Sequence, residues 1–190
     1  FSKETITYKP DCVIPAMHGL NGEDGSLAGL FQLAGIPFAS SGVLGGSVGM
    51  DKILMKAAFI GAGLDTAKYV YFERSEFDSG KQDVIERTEA SLSYPMFVKP
   101  ANLGSSIRIS RADDRAGLEK AIEIACQYDR RILVEEAVQN RVEINCSALG
   151  YGKDVETSLC EQPVSWEKFL SFEVKYLNGG KIGSAKGNGG

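Results

Sequence analysis

The sequence predicts two joined units, an α/β crossover followed by an α+β unit built on an antiparallel sheet with a helix on one face. Three observations predict this. From Asp11 to Ala39 a short apolar run, a glycine-rich loop, a helical stripe and a second apolar run follow one another. A small-residue, glycine-rich stretch from Ser40 to Met50 then reads as a connection. From Met96 to Cys160 the order is strand, loop, strand, helix, then two or three further strands.

Taken in order, Cys12 to Ala16 is a short buried strand running into the loop Met17 to Gly25, which holds three glycines and two acids. Ser26 is placed as the N-cap of a helix whose Leu27, Leu30, Phe31 and Leu33 form an apolar stripe and which Gly35 ends. Ile36 to Ala39 is the second strand, which completes a crossover unit. Ligands of open α/β sheets sit beyond the carboxyl ends of strands, where His18 to Gly25 falls. The other reading makes these glycines turn residues only, with His18 a satisfied loop histidine.

Asp51 is expected to cap a helix containing Lys52, Leu54, Met55, Ala57, Ala58 and Ile60, closed by Gly61 to Gly63. A lysine in the first turn opposes the helix dipole. Lys52 therefore invites a function, although a stray helical lysine is usually just solvated. Lys68 to Phe72 alternates toward a strand, and Glu76 to Leu92 is a polar helical stretch.

The chain is organised around Tyr94 to Ser106. A strand from Met96 to Val98 delivers Lys99, a proline stops it, and Gly104-Ser105-Ser106 follows. This puts a point charge beside backbone N–H groups and hydroxyls that can fold over an anion such as a polyphosphate. The spacing is not that of a P-loop, because the lysine precedes the glycine. Read alone, Gly-Ser-Ser is more often an ordinary solvated turn. Ile107 to Arg111 then alternates as a half-exposed strand, and Asp113 or Asp114 opens a helix. Arg131 to Val138 is a buried strand ending in the acids Glu135 and Glu136. Val142 to Leu149 and Val155 to Cys160 are further strands around a turn at Gly150 to Lys153. Beyond Ser165 the chain is amphipathic and then glycine-rich, and its last twelve residues contain too little apolar material to complete a core.

The totals exclude several classes. A net charge of −4 leaves no nucleic-acid footprint. Four scattered cysteines without a C-x-x-C pair, with His18 the only histidine, argue against a zinc site or disulfide framework and for reduced thiols in a cytosolic compartment. No apolar run approaches the roughly 18 residues of a spanning helix, and no signal peptide opens the chain. Phe1 in place of Met suggests a processed or incomplete start.

With these segments in hand, the chain resembles the D-alanine–D-alanine ligases of the ATP-grasp superfamily. Six motifs in order carry the resemblance: His18-Gly-x-x-Gly-Glu-Asp-Gly25, Leu33 to Phe38, Met50-Asp51-Lys52, Val98-Lys99-Pro100 with Gly104 to Ser106, Val134-Glu135-Glu136, and Lys175-Tyr176. It covers Asp11 to about Tyr176. The resemblance implies an ATP-grasp central domain (residues 50–142), preceded by the end of a Rossmann-like α/β domain (1–49) and followed by the start of the C-terminal ATP-grasp half with its lid (143–190).

It also implies an ATP-dependent ligation for peptidoglycan precursor synthesis. One D-alanine carboxylate attacks the γ-phosphate, and the amine of a second amino acid displaces phosphate from the acylphosphate. Carried over by position, Lys52 and Lys99 hold ATP phosphates, a task suited to compact cations. Ser105 and Ser106 lie in the loop that closes over them, with Ser105 bonding Tyr176. Glu135 accepts from the adenine amine, with Glu136 counted beside it, Val138 contacts the base and Glu143 binds the ribose. His18 and Glu23 shape the first D-alanine site, and Lys175 and Tyr176 form the tip of a lid that excludes water.

Some features depart from the family pattern. The glycine-rich start with its substrate-binding acid would precede Phe1, and the magnesium-binding Asp, Glu and Asn would follow Gly190, so no metal ligands are assigned here. The expectation is the middle half of a ligase, unable by itself to run the full reaction. Arg108 stands where the phosphate loop usually has glycine, an extra residue near Asn140-Arg141 shifts the turn before Glu143, and Phe172 replaces a common tyrosine. A D-alanine–D-serine ligase of the vancomycin-resistance type and a non-catalytic nucleotide-binding remnant remain alternatives. A different ATP-grasp ligase, such as a carboxylating one, is disfavoured by the loop from His18 to Gly25, and the D-lactate-using type by Lys175-Tyr176. The expected partners are ATP with Mg2+, D-alanine and, through the N-terminal domain, a second copy of the chain, with neither nucleic acid nor membrane.

Overall fold

The computed structural model describes residues 10–103 and 109–163. The described residues fall into two units, one ending at Ala137 and the other beginning at Val138. The expected phosphate loop from Gly104 to Arg108 and the lid with Phe172, Lys175 and Tyr176 lie outside them.

The first unit opens as expected of a crossover. Val13 and Phe38 form a parallel bridge, with Val13 N–H donating to Pro37 C=O and Ala39 N–H to Val13 C=O, both at 2.9 Å. Between them runs α1 (Ser26–Ala34). Its N-cap is Gly25 rather than Ser26, at φ 88°, because Asp24 accepts the Ser26 N–H from one residue further out. The stretch from Ser40 to Met50, expected to be a connection, instead folds as α2 (Val43–Met50). Its glycines serve close packing: a Cβ on Gly46 would stand 2.7 Å from the Gly25 nitrogen and 2.9 Å from the Glu23 carbonyl. Gly46→Ala is therefore expected to destabilise this region by about 1–3 kcal/mol, as overpacking against backbone does. A shift in urea midpoint measures it, and an unchanged midpoint would show that the helix simply moves away.

Asp51 caps α3 (Lys52–Gly61) as expected, accepting from the Ile53 and Leu54 amides at 3.0 and 3.1 Å. Then come β1 (Tyr69–Glu73), α4 (Arg74–Ser79) and α5 (Lys81–Ser91). The single helix expected from Glu76 to Leu92 is thus two, broken at Gly80, whose φ −156° and ψ 65° are not helical. The remaining elements of this unit are β2 (Met96–Pro100), β3 (Ser110–Ala112), α6 (Arg115–Cys126) and β4 (Arg131–Glu136).

The four strands form one antiparallel sheet in the order β1-β4-β2-β3. Among the described residues β3 pairs with β2 only as far as Val98, and on the β4 side the ladder bond at this end comes from the Ala101 N–H to the Arg131 carbonyl at 3.0 Å, so β4 needs no donor from Pro100. Strand alternation gives the sheet two different faces. Met96, Val98, Ile132, Val134 and Phe72 pack against Val84 and Ile85 of α5 and Leu118 and Ile122 of α6 in the main core. Each such fully buried aliphatic side chain contributes about 1.5–3 kcal/mol. On the other face Leu133 and Tyr69 meet Ile53 of α3, with Ala101 beside them. That second, thinner layer is where Lys99 and Glu135 emerge.

The second unit holds a hairpin of β5 (Ala148–Tyr151) and β6 (Asp154–Thr157), turned at Gly152 with φ 61°. The longer strand expected from Val142 is reduced to an Asn145–Glu161 bridge. Between the hairpin and this bridge the register slips by one residue; at Ser147 the Ser158 N–H still donates to the Ser147 carbonyl, while the Ser158 hydroxyl accepts the Ser147 N–H, both at 2.9 Å.

Candidate functional site

Two register pairs place the central charges. Phe97 lies opposite Glu135 and Lys99 opposite Leu133, so all four point to the face covered by α3. Helix α3 reaches this face because its capping residue, Asp51, is also ion-paired to Arg131 at the start of β4. The Lys52 amide donates to the Ala101 carbonyl at 3.0 Å, a second tie to the end of β2.

Three charged side chains converge there. Glu135 accepts from Lys99 Nζ on Oε1 and from Lys56 Nζ on Oε2, the latter at 3.0 Å. Their side chains are 12%, 20% and 8% exposed, in the order Glu135, Lys99, Lys56. Lys56 also donates to the Ala67 carbonyl at 3.1 Å and lies 5.0 Å from the Tyr69 ring centre. Burial pushes the Glu135 carboxyl up, but the charges and hydrogen bonds of Lys99 and Lys56 outweigh it and hold the group below its ordinary value of 4.5. A carboxyl depressed on folding contributes stability that is complete above its unfolded value and is lost as pH falls through the lower folded one. The melting temperature of the chain is therefore expected to drop below pH 4.5 more steeply than that of Glu135→Gln. Parallel curves for the two proteins below that pH would contradict it.

Lys52 stands one helical turn before Lys56. Its Nζ donates to the carbonyls of Pro100 at 3.2 Å, Ala101 at 3.4 Å and Leu103, where the chain leaves β2. Burial, with the charge of Lys99 second, pushes this ammonium down to about 8. An anion brought to Lys52 and Lys99 would favour the charged form of each and so work against that shift.

Glu136 does not join the cluster. Alternation turns its side chain to the other face, opposite Met96, where its carboxylate accepts the Ser93 N–H at 2.8 Å. Val138 and Glu143 belong to the second unit, Val138 exposed and Glu143 ion-paired with Arg141 at 3.5 Å. Ser105, Ser106, Lys175 and Tyr176 lie outside the described residues.

His18 and Glu23 share a separate cleft of about 470 Å3, lined also by Pro15, Ser40, Ser41 and Met50. The loop is held by its own acids: Glu23 accepts the Gly19 N–H at 2.5 Å, and Asp24 those of Asn21 and Ser26 at 2.9 Å. Ser47 of α2 donates to the Asp24 carbonyl at 3.0 Å, which ties the loop to that helix.

A family model described as the D-ala D-ala ligase C-terminus matches residues 54–186, well over half of the chain. The chain belongs to the D-alanine–D-alanine ligase family. Proteins named D-alanine–D-alanine ligase from Acetivibrio thermocellus and Bacillus cytotoxicus are 43% and 44% identical to it, over 93% and 89% of this chain. The chain spans about half the length of these relatives, 46% of each. Among solved structures, the VanG D-Ala:D-Ser ligase from Enterococcus faecalis is 35% identical with a TM-score of 0.74, covering 82% of this chain and 43% of that one. The mixed α/β architecture with antiparallel sheets is similar to that of these ligases.

Lys56 and the Asp51–Arg131 pair escape a reading of the sequence. Lys56 follows Lys52 by four residues and so shares its helix face, which was the available signal. The pairing of Asp51 with Arg131 leaves no local signal, since a cap explains Asp51 completely.

Proposed function

We propose that the polypeptide carrying this chain is an ATP-dependent ligase that joins D-alanine to a second D-amino acid, D-alanine itself, for peptidoglycan precursors. The observation that carries the reading is the pairing of Lys99 with Glu135 on the sheet, with the Lys52 ammonium held nearby by the carbonyls at the end of β2. It supplies two cations for phosphates and one ionised acceptor for a base amine, the donor set a nucleotide triphosphate needs. Family membership and the names of the relatives support the same reading.

In this reading Lys99 turns from Glu135 to the phosphates, and Lys52 joins it as a compact point charge. Their charge offsets that on the transferring phosphoryl group, so that a D-alanine carboxylate oxygen can attack the γ-phosphorus while the bridging P–O bond to the β-phosphate breaks, giving D-alanyl phosphate and ADP. The amine of the second amino acid then adds to the acyl carbon, and the tetrahedral intermediate collapses with loss of phosphate. His18 and Glu23 face the cleft assigned to the first D-alanine. Ser105, Ser106, Lys175 and Tyr176 are assigned to loops that close over the phosphates and exclude water. Val138 and Glu143 are assigned to base and ribose.

No group of three or more His, Cys, Asp or Glu able to hold a metal ion is found among the described residues. The Mg2+ that the family implies is assigned to ligands outside this chain, and it would supply positive charge on the phosphates. Residues 1–49 are read as the end of a Rossmann-like domain, 50–142 as the central ATP-grasp subdomain and 143–190 as the start of the C-terminal one. Assembly as a homodimer through the N-terminal domain and a cytoplasmic location, where ATP is at hand, belong to the same proposal. No helix among the described residues is long and apolar enough to cross a membrane.

The VanG likeness favours one second reading, D-serine as the second substrate. Phosphate release by the complete polypeptide, measured with ATP, magnesium and D-alanine and then with D-serine in competition, tests both. Release that requires D-alanine, with D-alanyl-D-alanine as the dipeptide formed even when D-serine competes, is expected; D-alanyl-D-serine as the main product would favour the second reading. Release independent of D-alanine removes the ligase reading.

A further inference from the structure

We propose that Lys56 is a positioning residue for base selection, fixing one oxygen of Glu135 so that the other accepts only from an amino group at position 6 of a purine. This rests on the reading of Glu135 as the acceptor of the adenine amine.

Lys56 is a lysine that substrate has little room to reach. Its side chain is 8% exposed, and its Nζ is engaged by Ala67 C=O at 3.1 Å, Glu135 Oε2 at 3.0 Å and the face of Tyr69 at 5.0 Å. These contacts come from the loop before β1, from β4 and from β1, so its position is set from three sides of the thin layer under α3. It therefore acts through Glu135. Lys99, by contrast, is the more exposed of the two cations and has Glu135 Oε1 as its partner. A phosphate that draws Lys99 away frees Oε1 and leaves Lys56 as the partner on Oε2.

The consequence follows from hydrogen-bond chemistry. A carboxylate that stays ionised can only accept. With Oε2 held, Oε1 presents its lone pairs in one orientation, which suits an N–H donor and repels a carbonyl. Without Lys56 the same buried group would be free to rotate and, once Lys99 has left, to take a proton and donate. Adenine and hypoxanthine rings differ at this position, amino in one and carbonyl in the other.

The test is the ratio of ATP to inosine triphosphate affinity, by titration calorimetry on the complete polypeptide. The unsubstituted protein is expected to prefer ATP. Lys56→Met should lower that preference about tenfold, the worth of one charge-assisted hydrogen bond, with inosine triphosphate bound within about twofold of the unsubstituted protein. A preference that is unchanged, or equal weakening of both nucleotides, overturns the proposal, because a merely structural lysine would give one of those results. Lys56→Gln keeps a donor without the charge and is judged on the same ratio, so a Met variant that fails to fold leaves the test standing. Glu135→Gln separates the two readings. If it leaves the ratio unchanged, the adenine contact itself is wrong. If it lowers the ratio while the Lys56 variants do not, only the role of Lys56 falls.

Discussion

Asp51→Ala is expected to destabilise the unit carrying the four-stranded sheet by about 3–5 kcal/mol, the usual cost of breaking a buried ion pair from one side. Asp51 is 3% exposed and does two jobs at once. One carboxylate oxygen accepts the Ile53 and Leu54 amides at the start of α3, and the other takes the Arg131 guanidinium from β4. Alanine removes the cap, worth about 1 kcal/mol by itself. It also leaves Arg131 with a charge and no partner at Nη2, beside an Nε that already lacks a hydrogen-bond partner. Asp51→Asn separates the terms, since it keeps the capping acceptor and loses the charge. The pair Asp51→Asn with Arg131→Met should cost less than the sum of its single changes, because together they remove both ends of the interaction. Urea unfolding measures all four proteins. A loss under about 1 kcal/mol for Asp51→Ala would show that the cap alone matters. Because α3 carries Lys52 and Lys56, nucleotide binding should fall together with stability in this variant.

That coupling explains which parts of the molecule could be read from the sequence. The α3 cap was legible because its bonds are local: an acid followed by amides two and three positions on needs no tertiary knowledge. Lys99 and Glu135 could be picked out one at a time, yet their meeting depends on the β2–β4 register, which no single segment encodes. The distinction between Glu135 and Glu136 was available in principle. Strand side chains alternate, so two adjacent acids cannot both face one site. Helix α2 was hidden for a different reason. Gly45, Gly46 and Gly49 carry the composition of a loop, and only the approach of Gly46 to the Gly25 backbone shows that small size is the requirement. The shortened strand before Ala148 was hidden likewise, since it turns on a one-residue slip in register that alternation along one segment does not encode.

Lys99→Ala is expected to lower ATP affinity by at least about thirtyfold while leaving the fold nearly intact. Truncating one partner of a close charge pair at a binding surface costs about 2–5 kcal/mol, or roughly thirtyfold to several-thousandfold in affinity. In the nucleotide reading Lys99 loses that amount against phosphate. The fold loses little, because Glu135 keeps Lys56 at 3.0 Å and the Lys99 side chain is already a fifth exposed at 20%. Lys99→Arg should recover only part of the affinity, since a planar fork does not replace a compact ammonium in the space facing Glu135. Calorimetric titration with ATP, alongside urea unfolding of the same proteins, reads both quantities. Affinity within about threefold of the unsubstituted protein would remove Lys99 from the phosphate site, because a loss that small is under 1 kcal/mol. A drop in stability that matches the drop in affinity would instead make its ion pair with Glu135 a part of the scaffold.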